Sequence, residues 1–236
     1  MPLDITRIHA ICFDIDGTLR NTDDQYVLML QKWLYYIRFL FTNHDYSLAA
    51  RRIVMALEEP GNIFIQIPDR LGIDKPLSSI INFIDSKRNH KPTQNETIIP
   101  GVIRCLTYFY NHYPLSIVSA RGELQTMRFL NQFGITSLFH CIATAQTMPH
   151  SKPFPDPLIW SSQQMGVSPE QCLMVGDTTI DIFTAKAAGA QSVGVLSGFG
   201  EEEELQRAGA DLIIPSVVFL IHVLNERILN WHKKSR

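Results

Sequence analysis

Ile8-His9-Ala10-Ile11-Cys12-Phe13-Asp14-Ile15-Asp16-Gly17-Thr18 is the stretch whose reading decides the fold. Its first six residues form an apolar run of strand length, which predicts a buried first strand. Two carboxylates, Asp14 and Asp16, follow directly, at the carboxyl end where open α/β sheets gather their ligand chemistry. Acids two residues apart at such an end can share one cation. Gly17 allows a sharp turn and a close approach to a ligand. Thr18 offers a hydroxyl and a backbone N–H to an anion. Asp-x-Asp-Gly alone also fits a solvated turn or a piece of a calcium loop. The calcium loop wants further oxygen ligands at alternate positions and a late Glu. Leu19 and Asn21 do not fit it.

Downstream, short apolar runs alternate with helical periodicity. Strands are expected at Leu115–Val118, Cys141–Thr144, Cys172–Val175, Ser192–Val195 and Leu212–Ile214. Helices are expected at Val102–Tyr113, Glu123–Phe133, Pro157–Met165, Thr179–Ala188, Leu205–Ala208 and Val217–Leu229. Glu201 to Glu204 reads as a solvated N-terminal turn favoured by the helix dipole. Alternation of this kind predicts an α/β fold with a doubly wound, Rossmann-like parallel sheet. Between Thr22 and His90 no β alternation is found. About four helices are expected there, the first an aromatic-rich one over Gln25–Thr42. The expected domains are an α/β core over 1–21 and 92–236 and an inserted all-helical cap over 22–91.

The length of 236 residues suits one large domain, or a main domain with an insert. With 45% hydrophobic and 19% charged residues, the composition is that of an ordinary globular protein. A net charge of −2 gives no electrostatic case for nucleic acid. Val27 to Phe41 is the one membrane-like stretch, but Lys32 and Arg38 interrupt it and it is short of a span. No membrane partner is expected. Cys12, Cys105, Cys141 and Cys172 form no Cys-x-x-Cys pair, so reduced thiols and a cytoplasmic home are expected. Asp4 and Arg7 break any signal-peptide pattern at the start.

Three further stretches sit where ligand chemistry would gather. Ser119 ends a strand, and Ala120-Arg121-Gly122 opens the next helix. A hydroxyl and open N–H groups there suit a phosphate oxygen, although a plain helix cap reads the same way. Lys152 lies in Ser151-Lys152-Pro153-Phe154-Pro155-Asp156-Pro157, whose three prolines stiffen its surroundings. A fixed ammonium can neutralise both a carboxylate and a phosphoryl group. Gly176-Asp177-Thr178-Thr179-Ile180-Asp181 follows another strand. Asp177 and Asp181, about one helical turn apart, can face one point. A hard cation such as Mg²⁺ takes a couple of carboxylates, and Asp14 and Asp177 can supply them.

In this order the four stretches resemble the four motifs of the haloacid dehalogenase-like hydrolase superfamily. Asp14-x-Asp16-Gly17-Thr18 matches the first, Ser119 the second, Lys152 the third and Gly176-Asp177-x-x-x-Asp181 the fourth. The helical insert resembles the cap of the phosphoglycolate phosphatase-like branch, as does Gly209-Ala210-Asp211 before the last strand. The resemblance implies a Mg²⁺-dependent phosphatase acting on a small phosphorylated metabolite, as a monomer or homodimer. It makes Asp14 the nucleophile that becomes an aspartyl-phosphate and Asp16 the general acid and base. The Asp16 carbonyl and Asp177 join Asp14 at the metal, with Asp181 in support. Ser119 and Lys152 hold the phosphoryl oxygens, with Thr18, Arg121 and Gly176 in supporting places. A phosphomutase of the same branch is the alternative, and a non-catalytic partner-binding protein a more distant one. Asp16 argues against the 2-haloacid dehalogenase reaction, whose branch lacks that acid. Three positions depart from the branch. Arg20 stands where an apolar residue is usual, Asn21 where Asp is frequent, and Ala120 where Asn commonly follows the hydroxyl residue.

Overall fold

A computed structural model gives the structure, which describes residues 3–21 and 96–225, with positions 32 and 35 besides. The helices expected across the insert therefore lie outside the described residues. The chain divides into two units, Met1–Thr22 with Thr97–Arg236, and Asp23–Glu96. All the description that follows belongs to the first.

Six strands form one sheet: β1 (Ala10–Phe13), β2 (Leu115–Val118), β3 (Cys141–Ala143), β4 (Cys172–Gly176), β5 (Gln191–Val195) and β6 (Leu212–Ile214). Every pairing is parallel, in the order β3-β2-β1-β4-β5-β6. The chain steps outward from β1 through β2 to β3, then returns to lay β4 on the other side of β1. That reversal opens a crevice beyond the carboxyl ends of β1 and β4, the place where such sheets bind ligands. Phe13 is in register with Val175, so Asp14 leaves β1 beside Gly176, and Asp177 follows at the same edge of the sheet.

The strand period of two sorts the side chains into two layers. Ile11, Phe13, Leu115, Ile117, Leu173, Val175, Val193 and Val195 face one layer. They pack on α1 (Val102–Tyr110), on Phe129 and Leu130 of α2 (Glu123–Gln132), and on Val217, Leu220 and Leu224. The opposite layer is built from smaller residues: Ala10, Cys12, Ala143, Cys172, Ala185 and Ala188, with Val118, Met174 and Leu158. Small side chains let α3 (Asp156–Gln164) and α4 (Thr179–Ala188) lie close on that face. Cys12 is fully buried there, and its hydrogen bond with Cys172, together with burial, pushes its thiol well above the usual range.

Most element bounds fall within a residue or two of the sequence pattern, and two differ in kind. The helix expected at Leu205–Ala208 begins three residues earlier, as α5 (Glu202–Ala208). Its acidic first turn is part of the helix, since Glu202, Glu203 and Glu204 sit at the positive end of the dipole. The closing helix starts as a 3-10 turn, Val217–Phe219, before α-helix at 220–225, and the rest of it lies outside the described residues. Among the described residues no helix is long and apolar enough to cross a membrane.

Candidate active site

The loop after β1 is held from within. The Ile15 carbonyl accepts the N–H groups of Thr18, Leu19 and Arg20 at 3.3, 2.9 and 2.8 Å. Ile15 and Leu19 are fully buried and anchor the loop in the core. Gly17 takes φ +72, a conformation that L side chains adopt only at a cost. The Thr18 N–H, expected to be open to an anion, is thus engaged in the turn. Its hydroxyl is buried and makes no hydrogen bond among the described residues. The loop's exit is tied to the returning chain: Asn21 N–H donates to Thr97 O at 2.8 Å and Ile99 N–H to Leu19 O at 2.9 Å.

Asp14 sits at the crevice, and its N–H donates to Val175 O across the β1–β4 pair at 2.9 Å. Lys152 comes from the segment before α3. Its Nζ lies 2.7 Å from Asp14 Oδ1 and 2.7 Å from Asp181 Oδ1, with the lysine and Asp181 side chains wholly buried and that of Asp14 2% exposed. Asp181 Oδ2 accepts the Thr178 N–H at 3.1 Å and the Thr178 hydroxyl at 2.9 Å, closing the first turn of α4 as a capping box. Asp181 therefore both caps its helix and steadies Lys152.

Asp177 is buried beside them, and its Oδ2 accepts the Phe199 N–H at 2.8 Å. Oxygens of Asp14, Asp177 and Asp181 all lie within 4.8 Å of one another. Buried carboxylate oxygens this close together can share one cation.

The loop after β5 was not foreseen as part of the site. A Cβ on Gly198 would collide with Asp177 Oδ2, as would one on Gly17, and one on Gly200 would strike the Asp177 carbonyl. Ser197 Oγ donates to the Gly17 carbonyl at 2.7 Å, lacing this loop to the first. The signal available was Ser197-Gly198-Phe199-Gly200, a paired glycine run just past a strand's carboxyl end. Gly176 clears space in the same way, since a Cβ there would overlap the Asp181 carboxylate.

Asp16 is set apart from the buried cluster, with its side chain 20% exposed. Arg20 Nη1 is 2.8 Å from its Oδ1, and Arg121 Nε is 3.2 Å from its Oδ2. Arg121 thus brings the loop after β2 to the loop after β1. In that second loop Ser119 is buried and its Oγ accepts the Arg121 N–H at 3.3 Å. The structure joins Asp14, Lys152, Asp181 and Asp177 as one cluster, and Asp16 with Arg20 of its own loop and Arg121 of the loop after β2 as a second group.

A family model described as haloacid dehalogenase-like hydrolase matches residues 11–195. A phosphoglycolate phosphatase of Nitrosococcus oceani is 28% identical over 142 residues, 60% of this chain and 60% of that protein. The pyrophosphatase PpaX of Anoxybacillus flavithermus is 28% identical over 220 residues, 92% of this chain and 97% of that one. The match to a Neisseria gonorrhoeae phosphoglycolate phosphatase, 39% identical, covers only 37% of either chain. A Streptococcus pneumoniae hydrolase of the haloacid dehalogenase-like family superposes with a TM-score of 0.69 over 92% of this chain and 99% of its own. At 22% identity that likeness speaks for the fold.

Proposed function

The chain belongs to the haloacid dehalogenase-like hydrolase family, and from that premise we propose that it hydrolyses a small phosphate monoester through an aspartyl-phosphate on Asp14. The observation that carries this reading is the buried Asp14–Lys152–Asp181 arrangement at the β1–β4 crevice. A carboxylate held there by an ammonium at 2.7 Å is aimed for attack.

Asp14 attacks phosphorus, and the bond to the ester oxygen breaks. The departing oxygen takes a proton from Asp16 and leaves as the alcohol. Water then attacks the same phosphorus while Asp16 accepts its proton. The acyl–phosphate bond breaks, inorganic phosphate leaves and the Asp14 carboxylate is restored. Lys152 steadies Asp14, and in this reading Lys152 and the Ser119 hydroxyl hold the phosphoryl oxygens, as the resemblance implies.

The donor set fits Mg²⁺. Asp181 spends its oxygens on Lys152 and Thr178. Asp14 and Asp177 are then the carboxylates that would hold the ion, with the Asp16 carbonyl as the resemblance implies. Bound there, a divalent cation would offset the charge that opposes an anionic nucleophile approaching an anionic phosphoryl group. All four cysteines are free thiols, which suits the cytoplasm.

Phosphate release from a panel of phosphorylated metabolites, with Mg²⁺ present, tests the reading. The named activities of the relatives put phosphoglycolate and inorganic pyrophosphate in that panel. Release by the native protein and none by Asp14→Asn is expected. A folded native protein that releases phosphate from no member of the panel would defeat the proposal.

A further inference from the structure

The Asp16 carboxylate is gripped at both oxygens, by Arg20 at 2.8 Å and by Arg121 at 3.2 Å. A lone aspartate on a loop samples several rotamers. One with a separate guanidinium on each oxygen is held in one setting, because the charge-assisted bonds are directional. The two arginines come from different loops and reach the carboxylate from different sides. Their side chains are 11% and 14% exposed, so solvent screens these pairs less than it does surface ion pairs.

Arg20 is the more firmly based of the two. Its own N–H donates to Ile15 O at 2.8 Å and its carbonyl accepts the Gly17 N–H at 3.0 Å. It also bridges Ile98 on the returning chain. With its backbone fixed on both sides, its guanidinium is delivered to Asp16 from a rigid base.

We propose that Arg20 is a positioning residue for proton transfer: it holds the Asp16 carboxyl group, in its protonated form, where the departing ester oxygen receives its proton. This rests on the phosphatase reading of the site. Arg20 acts through Asp16 and makes no demand on the phosphoryl group itself. Its loss therefore falls on kcat/KM, which reports the steps up to departure of the leaving group, for esters whose leaving oxygen needs a proton, and little on esters whose leaving group departs unaided.

The experiment is a kinetic cycle of Arg20→Leu and Asp16→Asn, alone and together, on phenyl phosphate and p-nitrophenyl phosphate with saturating Mg²⁺. Arg20→Leu is expected to lower kcat/KM on phenyl phosphate by about 10-fold, part of the ~10²–10⁴ that a general acid supplies. On p-nitrophenyl phosphate the loss in kcat/KM should stay within about 3-fold. In the Asp16→Asn background the same change should cost less than about 2-fold, because the group it positions is already gone. Arg20→Lys, which keeps one charged donor, should recover much of the loss and serves as the reading if Arg20→Leu folds poorly. Losses that multiply fully in the double variant overturn the role, as do equal losses of kcat/KM on the two esters, which make Arg20 a substrate contact. A native protein that turns over neither ester nor any other phosphate compound overturns the phosphatase reading, and the role of Arg20 with it.

Discussion

Lys152→Met removes the ammonium from the buried cluster while keeping an unbranched chain of similar length. Two carboxylate oxygens, Asp14 Oδ1 and Asp181 Oδ1, each lose a partner at 2.7 Å. Water cannot replace it readily, because the side chains involved are 0–2% exposed. Breaking a buried ion pair by deleting one partner costs about 3–5 kcal/mol. Two pairs are lost here, but they share one ammonium and Asp181 keeps its two bonds from Thr178. The expected loss is therefore about 3–5 kcal/mol, not twice that. Against a typical stability of about 5–15 kcal/mol this is a large share. Urea unfolding in chelator measures it, and the same curves with Mg²⁺ should recover part of the loss, since a cation that binds only the folded chain stabilises it by mass action. Asp181→Asn placed on top of Lys152→Met should also recover part, by removing one stranded charge. A loss below about 1 kcal/mol, typical of a surface pair, would refute the view that Lys152 neutralises the cluster.

Three other predictions follow from the geometry. Asp16→Asn should lower kcat/KM by about 10²–10⁴-fold on phenyl phosphate and by much less on p-nitrophenyl phosphate, and equal losses of kcat/KM would count against Asp16 as the acid. Activity should require Mg²⁺ and be inhibited by Ca²⁺, which accepts more and looser ligands; full activity in excess chelator would contradict this. Gly198→Ala puts a methyl group against Asp177 Oδ2. It should raise the Mg²⁺ concentration needed for half-maximal activity by roughly 10-fold or more and cost about 1–3 kcal/mol of stability, measured by metal titration and urea unfolding.

What could be read in the sequence was what local pattern encodes. The apolar run into Asp14 and the run into Asp177 each marked a strand end, and the parallel order brings those two ends together. The spacing of Asp177 and Asp181 was read as one helical turn, but α4 begins at Thr179 after the Thr178 cap, so only Asp181 is helical and Asp177 precedes the helix. Lys152 was legible only because prolines flank it; its placement on two acids belongs to tertiary structure. Two features were hidden for the same reason. The Ser197–Gly200 loop carries no charged group, and its role is to leave room beside Asp177 and to donate the Phe199 N–H. Arg20 stood out as a departure from the family pattern, but its partner Asp16 could not be seen from a helix-like i,i+4 spacing in a segment that is not a helix. The insert's aromatic helix over Gln25–Thr42, an expectation of periodicity, lies outside the described residues.

The central claim is that phosphoryl passes through Asp14. Rapid quench in acid during the first turnover, followed by peptide mapping by mass spectrometry, tests it most directly. A phosphoryl group on Asp14, appearing before inorganic phosphate and discharged by hydroxylamine, is the predicted result. Product formed through the whole first turnover with Asp14 unmodified, or with the phosphoryl group on another residue, would contradict it.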